Sequence, residues 1–197
     1  MDAWLQLGHH PGPLYSGRET SEQRAAAEGF VSVPSIDIVQ VSHVRVDFHG
    51  SFDEVTASLE KLLGRFDPTV SSTFAKDPSL ADRQLQSMEG EEYLMIFQIL
   101  DHGGLFKLIG QPRKAKRYTI GNPRIAFQMT RHDIRAGLYV PFNILVVEQA
   151  NDTVRVEYDL PSSVLNQFGN AQVSEVARQL DGKVERLLAK ASQIFHS

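Results

Sequence analysis

The residues best suited to chemistry lie between positions 101 and 124. His102 follows Asp101 where an apolar run, Tyr93 to Leu100, gives way to Gly103-Gly104. An imidazole, with an ordinary pKa of about 6.5, is the usual general acid or base near neutrality. Adjacent residues in a strand point to opposite faces, so Asp101 cannot orient that imidazole while the strand continues. Tyr118 alternates with Arg117 and Thr119, which puts it with Ile120 on an inner face, and a buried phenol calls for a hydrogen-bond partner. Asn122, inside Gly121-Asn122-Pro123, either supplies positive φ to a turn or aims an amide at a ligand. Arg117 and Arg124 are cations able to clamp a carboxylate. His102 and Tyr118 are thus the candidate catalytic pair, and Asp101, Arg117, Asn122 and Arg124 the candidate ligand contacts. Each also has a structural reading: a strand-end His, a core Tyr with a satisfied hydroxyl, a turn Asn and solvated Arg side chains.

Other chemistries are excluded by what the chain lacks. It has no Cys, which removes thiol catalysis, disulfides, iron–sulfur clusters and Cys-based zinc sites. The seven His residues (9, 10, 43, 49, 102, 132 and 196) show no i, i+4 pair, so no metal site is expected, and His132-Asp133 reads as a loop pair. No Gly-x-Ser-x-Gly elbow and no glycine-rich phosphate loop occurs, so no nucleotide or other cofactor is expected. The net charge of −4 argues against a nucleic-acid partner. The charge is uneven, however. Residues 107–135 carry eight Lys and Arg against one Asp, a net of +7, which leaves −11 on the remainder. A basic segment on an acidic body draws small anions. With no apolar run of the roughly 18 residues needed to cross a bilayer, and an acidic start in place of a basic n-region, the expectation is a cytoplasmic protein without membrane partners.

These residues must be positioned by a small set of elements. Residues 1–35, with Pro11, Pro13, Pro34, Gly8, Gly12, Gly17 and a polar stretch, read as an irregular arm with one short helix near Glu22 to Glu28. A single domain follows over 36–197. Val44, Val46 and Phe48 alternate with polar residues as in a half-buried strand. Ser51 and Glu54 form a capping box for a helix whose apolar face is Phe52, Val55, Leu59, Leu62 and Leu63. Residues 67–92 form a polar excursion of the length typical of lids. Strands are predicted at Tyr93–Leu100, Arg117–Ile120, Ile125–Thr130, Phe142–Glu148 and Thr153–Tyr158, the second and third flanking the Asn122-Pro123 turn. A long amphipathic helix runs from about Val173 to Phe195. Strands followed by a helix that covers one face define an α+β domain; with the two short strands around the Asn122-Pro123 turn taken as one, the mainly antiparallel sheet has the order strand, helix, four strands, helix.

Ile99-Leu100-Asp101-His102, Gly121-Asn122-Pro123, Leu138-Tyr139-Val140-Pro141-Phe142 before Ile144-Leu145-Val146, and Tyr158-Asp159-Leu160-Pro161 together resemble the domain-of-unknown-function family numbered 302. The likeness runs over about residues 40–195. It implies a TATA-binding-protein-like α+β fold and no established reaction; the arm and the excursion at 67–92 depart from the compact members. Two functions are expected as alternatives. The first is a pocket between sheet and helix for a small, partly apolar, anionic organic molecule, with metal-free acid–base chemistry of isomerase, cyclase or lyase type. There His102 is the base or acid, Tyr118 and Asn122 are hydrogen-bond partners, Arg117 or Arg124 is the anchor and the excursion is the lid. The second is a noncatalytic ligand-binding or homodimeric interaction domain, because Phe142–Glu148 is apolar on both faces and one helix layer covers only one of them. A second copy, or the arm through Trp4, Leu5 and Tyr15, would cover the other.

Overall fold

The computed structural model describes residues 35–194; the arm with its short helix, Trp4, Leu5, Tyr15 and His9-His10, and the terminal Phe195 and His196, lie outside the described residues. The elements below belong to the unit Val39–Ser197. In chain order they are β1 (His43–His49), α1 (Phe52–Leu62), β2 (Gly64–Arg65), α2 (Pro78–Ser87), β3 (Met95–Asp101), β4 (Ala115–Gly121), α3 (Pro123–Thr130), β5 (Phe142–Glu148), β6 (Thr153–Asp159), α4 (Pro161–Leu165) and α5 (Ala171–Ile194). The class is α+β. The sheet order is β1-β6-β5-β4-β3-β2, antiparallel throughout except that the two-residue β2 runs parallel to β3, so the sheet is mixed.

Period-two patterning decides which face is buried. Val44, Val46 and Phe48 of β1 register with Tyr158, Val156 and Val154 of β6, and Tyr118 of β4 with Ile144 of β5. These side chains meet Val55 and Leu59 of α1 and Leu180, Val184 and Leu187 of α5 in one core. The capping box that starts α1 is present in full: the Ser51 hydroxyl accepts from the Glu54 N–H, and the Glu54 carboxylate accepts from the Ser51 N–H at 2.9 Å. The opposite face holds His43, Arg45 and Asp47 beside Arg155, Glu157 and Asp159, then Leu145 and Val147, then Arg117 and Leu100. His43 spans Asp159 (2.8 Å) and Glu157 (3.2 Å), and these hydrogen bonds raise its pKa.

Two expectations are corrected. Residues 125–130 are not a strand; they form α3. Asn122, with φ −151°, accepts the Arg124 N–H at 2.7 Å through Oδ1, and Pro123 occupies the first helical position. An N-cap followed by Pro, whose missing N–H would have had no partner there, outweighs the alternation of Ile125, Phe127 and Met129. For the same reason Asn122 does not serve the positive-φ turn expected of it. The polar excursion at 67–92 also holds a helix that its composition did not suggest. Asp77 accepts the Leu80 N–H at 2.8 Å and Pro78 follows, starting α2, whose Ala81 and Leu85 face inward at a spacing of four.

Candidate functional site

Three helices enclose a groove. α2, α3 and α5 bound a cavity of about 940 Å³ whose walls include Phe74, Leu85, Ile125, Phe127, Val176 and Leu180. That volume is in the range that holds a drug-sized ligand, and a mainly apolar lining with few polar groups is what such sites have. The polar floor is a network. Asn122 donates from Nδ2 to Glu89 Oε1 and to the Tyr93 carbonyl, both at 2.7 Å. Arg124 donates from Nη1 to the same Glu89 oxygen (3.0 Å) and from Nε to Asp82 (2.7 Å), tying α3 to α2. Hydrogen bonding to Glu89 raises the pKa of the guanidinium. Glu89 is almost wholly enclosed, and its Oε2 makes no hydrogen bond among the described residues.

One edge of the groove is a strained loop clamped by α5. Glu92 and Tyr93 both have positive φ, 54° and 64°, a conformation costing roughly 1–3 kcal/mol for each residue other than Gly. The compensation is visible. Arg186 grips the Glu92 carboxylate at 2.8 and 3.0 Å and lowers its pKa, Lys190 pairs with Glu91 at 2.7 Å, and Lys183 donates to the Glu92 carbonyl at 3.2 Å. Lys183, Arg186 and Lys190 share one side of α5 by their three- and four-residue spacing. Below the loop, the chain passes itself so closely that a Cβ on Gly64 would fall on the Met88 carbonyl; Gly64 and Gly90 both donate to the Leu94 carbonyl. The result is an exposed Tyr93 ring at the rim with the Lys183 ammonium 4.5 Å from its centre. Among the described residues Lys183 has no carboxylate within 4.0 Å, whereas the other lining cation, Arg124, is matched by Asp82 and Glu89.

Of the six residues singled out from sequence, the structure brings Asn122 and Arg124 to this groove and leaves the others elsewhere. Arg124 engages the protein's own carboxylates. Tyr118 is fully buried beneath α1, where its hydroxyl donates to Glu60 Oε1 at 2.9 Å. Burial, and then Glu60, push its pKa far above the usual phenol range. Burial also pushes Glu60 up, but hydrogen bonds from Tyr118 and Lys116 outweigh it and leave that carboxyl low. Asp101 accepts the Gly104 N–H at 2.8 Å, closing the turn after β3, and His102 is exposed in that turn. Arg117 lies on the sheet face opposite the core, in register with Leu100 and Leu145, and its buried Nε finds no hydrogen-bond partner among the described residues. The excursion at 67–92 supplies one wall of the groove through α2. Lys183, Glu89 and Tyr93 went unnoticed in the sequence; the Gly90-Glu91-Glu92 run before an apolar strand was the available signal.

No metal-binding cluster of His, Asp and Glu occurs among the described residues, and no helix there is long and apolar enough to cross a membrane. A search of curated proteins finds no match. Among solved structures, an uncharacterized conserved DUF302 protein from Bacillus stearothermophilus superimposes with a TM-score of 0.54. It is 13% identical, with 76% of this chain and 97% of that one covered, so the likeness concerns the fold. The profile of "Domain of unknown function DUF302" matches residues 68–191, beginning inside the supposed excursion, so α2 and the groove it walls are part of the family's domain. With the four motifs read from the sequence and a profile match over more than half its length, the chain belongs to the DUF302 family.

Proposed function

We propose that the groove between α2, α3 and α5 binds a small, partly apolar organic molecule carrying an anionic group. The observation that carries this reading is the pairing of an apolar cavity of about 940 Å³ with one lining cation, Lys183, that lacks a carboxylate partner, beside an exposed aromatic ring held in a strained loop. A carboxylate seated there would gain a charge-assisted hydrogen bond, worth about 1.5–3 kcal/mol. The apolar remainder would lie along Leu85, Ile125 and Leu180. Binding is favoured over turnover because the lining carboxylates are engaged in structure. Any acid–base step of isomerase, cyclase or lyase type is assigned to Glu89, through Oε2, in place of His102 and Tyr118. The test is calorimetric titration with 4-phenylbutyrate and its neutral amide. The acid is expected to bind more tightly, and Lys183→Gln is expected to lower its affinity about tenfold while leaving the amide unchanged. Equal binding of the two in the wild-type chain, or an acid preference that survives the substitution, would contradict the proposal. The absence of Cys suits a reducing cytoplasmic setting.

A second reading concerns assembly. Leu100, Leu145 and Val147 lie half-buried on the sheet face opposite α1 and α5, around an Arg117 Nε that has no hydrogen-bond partner among the described residues. A second copy packed there by twofold symmetry would bury them further. Sedimentation equilibrium is expected to find a dimer that Leu145→Glu dissociates; a wild-type monomer at 100-fold the usual working concentration, about 1 mM, would end this reading.

A further inference from the structure

A second groove, on the far side of the domain from α2 and α3, has the opposite electrostatic character. It lies between the edge strand β1 and α5, encloses about 660 Å³ and has Val44, Val46, Leu160 and Leu188 among its apolar walls. Its charged lining is Asp47, Asp181 and Glu185, with His49 as the basic member. Asp47 is engaged by Arg155 at 2.7 and 2.9 Å. The other two are not neutralised: among the described residues neither Asp181 nor Glu185 has an ion-pair partner, and Asp181 accepts from Ser162, through its N–H at 2.9 Å and its side chain. Four residues apart on α5, they share one helix face.

The observation that points to a ligand is Tyr158. It is 6% exposed, on the core side of β6 in register with Val44 and Ile144, and lines this groove, yet its hydroxyl makes no hydrogen bond among the described residues. The ring is enclosed while the hydroxyl opens onto the groove, so a partner for it has to come from there. Tyr118, two strands away on the same face, finds its partner in Glu60, so the fold is able to satisfy such a group where no ligand is needed. Burial, then the carboxylates of Asp181 and Glu185, raise the Tyr158 pKa and keep its hydroxyl neutral, and burial likewise raises that of Asp181.

We infer that the groove between β1 and α5 is a binding site for an organic ammonium ion with an apolar body, whose N–H groups donate to Asp181, Glu185 and the Tyr158 oxygen. An ammonium supplies the positive charge that the two carboxylates lack and a donor for the Tyr158 oxygen, and a short alkyl or aryl body would lie along Val44, Val46 and Leu188. This site is separate from the helical groove, takes the opposite charge, and stands or falls independently of it.

The test uses the full chain, 2-phenylethylamine as cation and 2-phenylethanol as its neutral counterpart, followed by amide chemical shifts. The amine is expected to shift Val44, Leu188 and their neighbours, to leave Ile125 and Ala126 unmoved, and to bind at least about tenfold more tightly than the alcohol. Tyr158→Phe removes no hydrogen bond within the protein, so it is expected to fold as the wild type and to weaken the amine several-fold. Glu185→Gln, at an exposed position, is expected to weaken the amine and not the alcohol; adding Asp181→Asn is expected to abolish the preference. Equal affinity for amine and alcohol, no saturable amine binding, shifts confined to the helical groove, or a preference untouched by Glu185→Gln in a folded chain would each overturn the assignment.

Discussion

Asn122→Ala is expected to destabilise the domain by about 3 kcal/mol. The Asn122 side chain does three things at once, capping α3 and donating to both Glu89 and the Tyr93 carbonyl while it is itself buried. Loss of an N-cap costs about 1 kcal/mol, and loss of a buried hydrogen bond to a carboxylate a further 1.5–3 kcal/mol, because the enclosed acceptor is left short of a partner. Urea unfolding is the measurement: the midpoint should fall with the slope unchanged. Asn122→Ser keeps a capping oxygen but not the amide donors, so it is expected to recover only the cap's share. A loss under about 1 kcal/mol for the Ala variant would mean that this network does not hold the groove together.

Ala126→Trp is expected to abolish binding of 4-phenylbutyrate, by about 100-fold or more, with little change in stability. Ala126 is a partly exposed lining residue within the first two turns of α3, where an indole can extend into the cavity without displacing core side chains. A hundredfold loss corresponds to about 2.7 kcal/mol, within the roughly 1.5–3 kcal/mol that burial of a phenyl ring contributes. Calorimetric titration of the variant, with its unfolding curve as control, provides the check. Undiminished binding would place the ligand somewhere else.

Where the pattern had one interpretation, local sequence was sufficient. Alternation in β1 and β6, the Ser51–Glu54 capping box and the apolar stripe of α5 each specify an element and its buried face without help from the rest of the chain. Ile125, Phe127 and Met129 did not, because they alternate as a strand does while Ile125 and Met129 also stand one helical turn apart; Asn122-Pro123 decides between the two. Asp77-Pro78 does the same for α2, where polar composition concealed a helix that buries only Ala81 and Leu85. The site itself was legible only in fragments. Asn122 and Arg124 stood out by type, but their partners Glu89 and Asp82 are 33 and 42 residues away, so that Arg124 is already matched by carboxylates cannot be read locally. Lys183 sits in a helix rich in charges, and what distinguishes it is a carbonyl and a ring 91 and 90 residues distant in the chain. His102 and Tyr118 drew attention by type, and the fold assigns one to an exposed turn and the other to the core.

A crystal of the full chain soaked in 4-phenylbutyrate tests the central claim most directly. The account expects the carboxylate within hydrogen-bond distance of Lys183 Nζ and the phenyl ring between α2 and α3, against Leu85 and Ile125. Density for the ligand at any other place, or a helical groove that stays closed at saturating concentration, would contradict it.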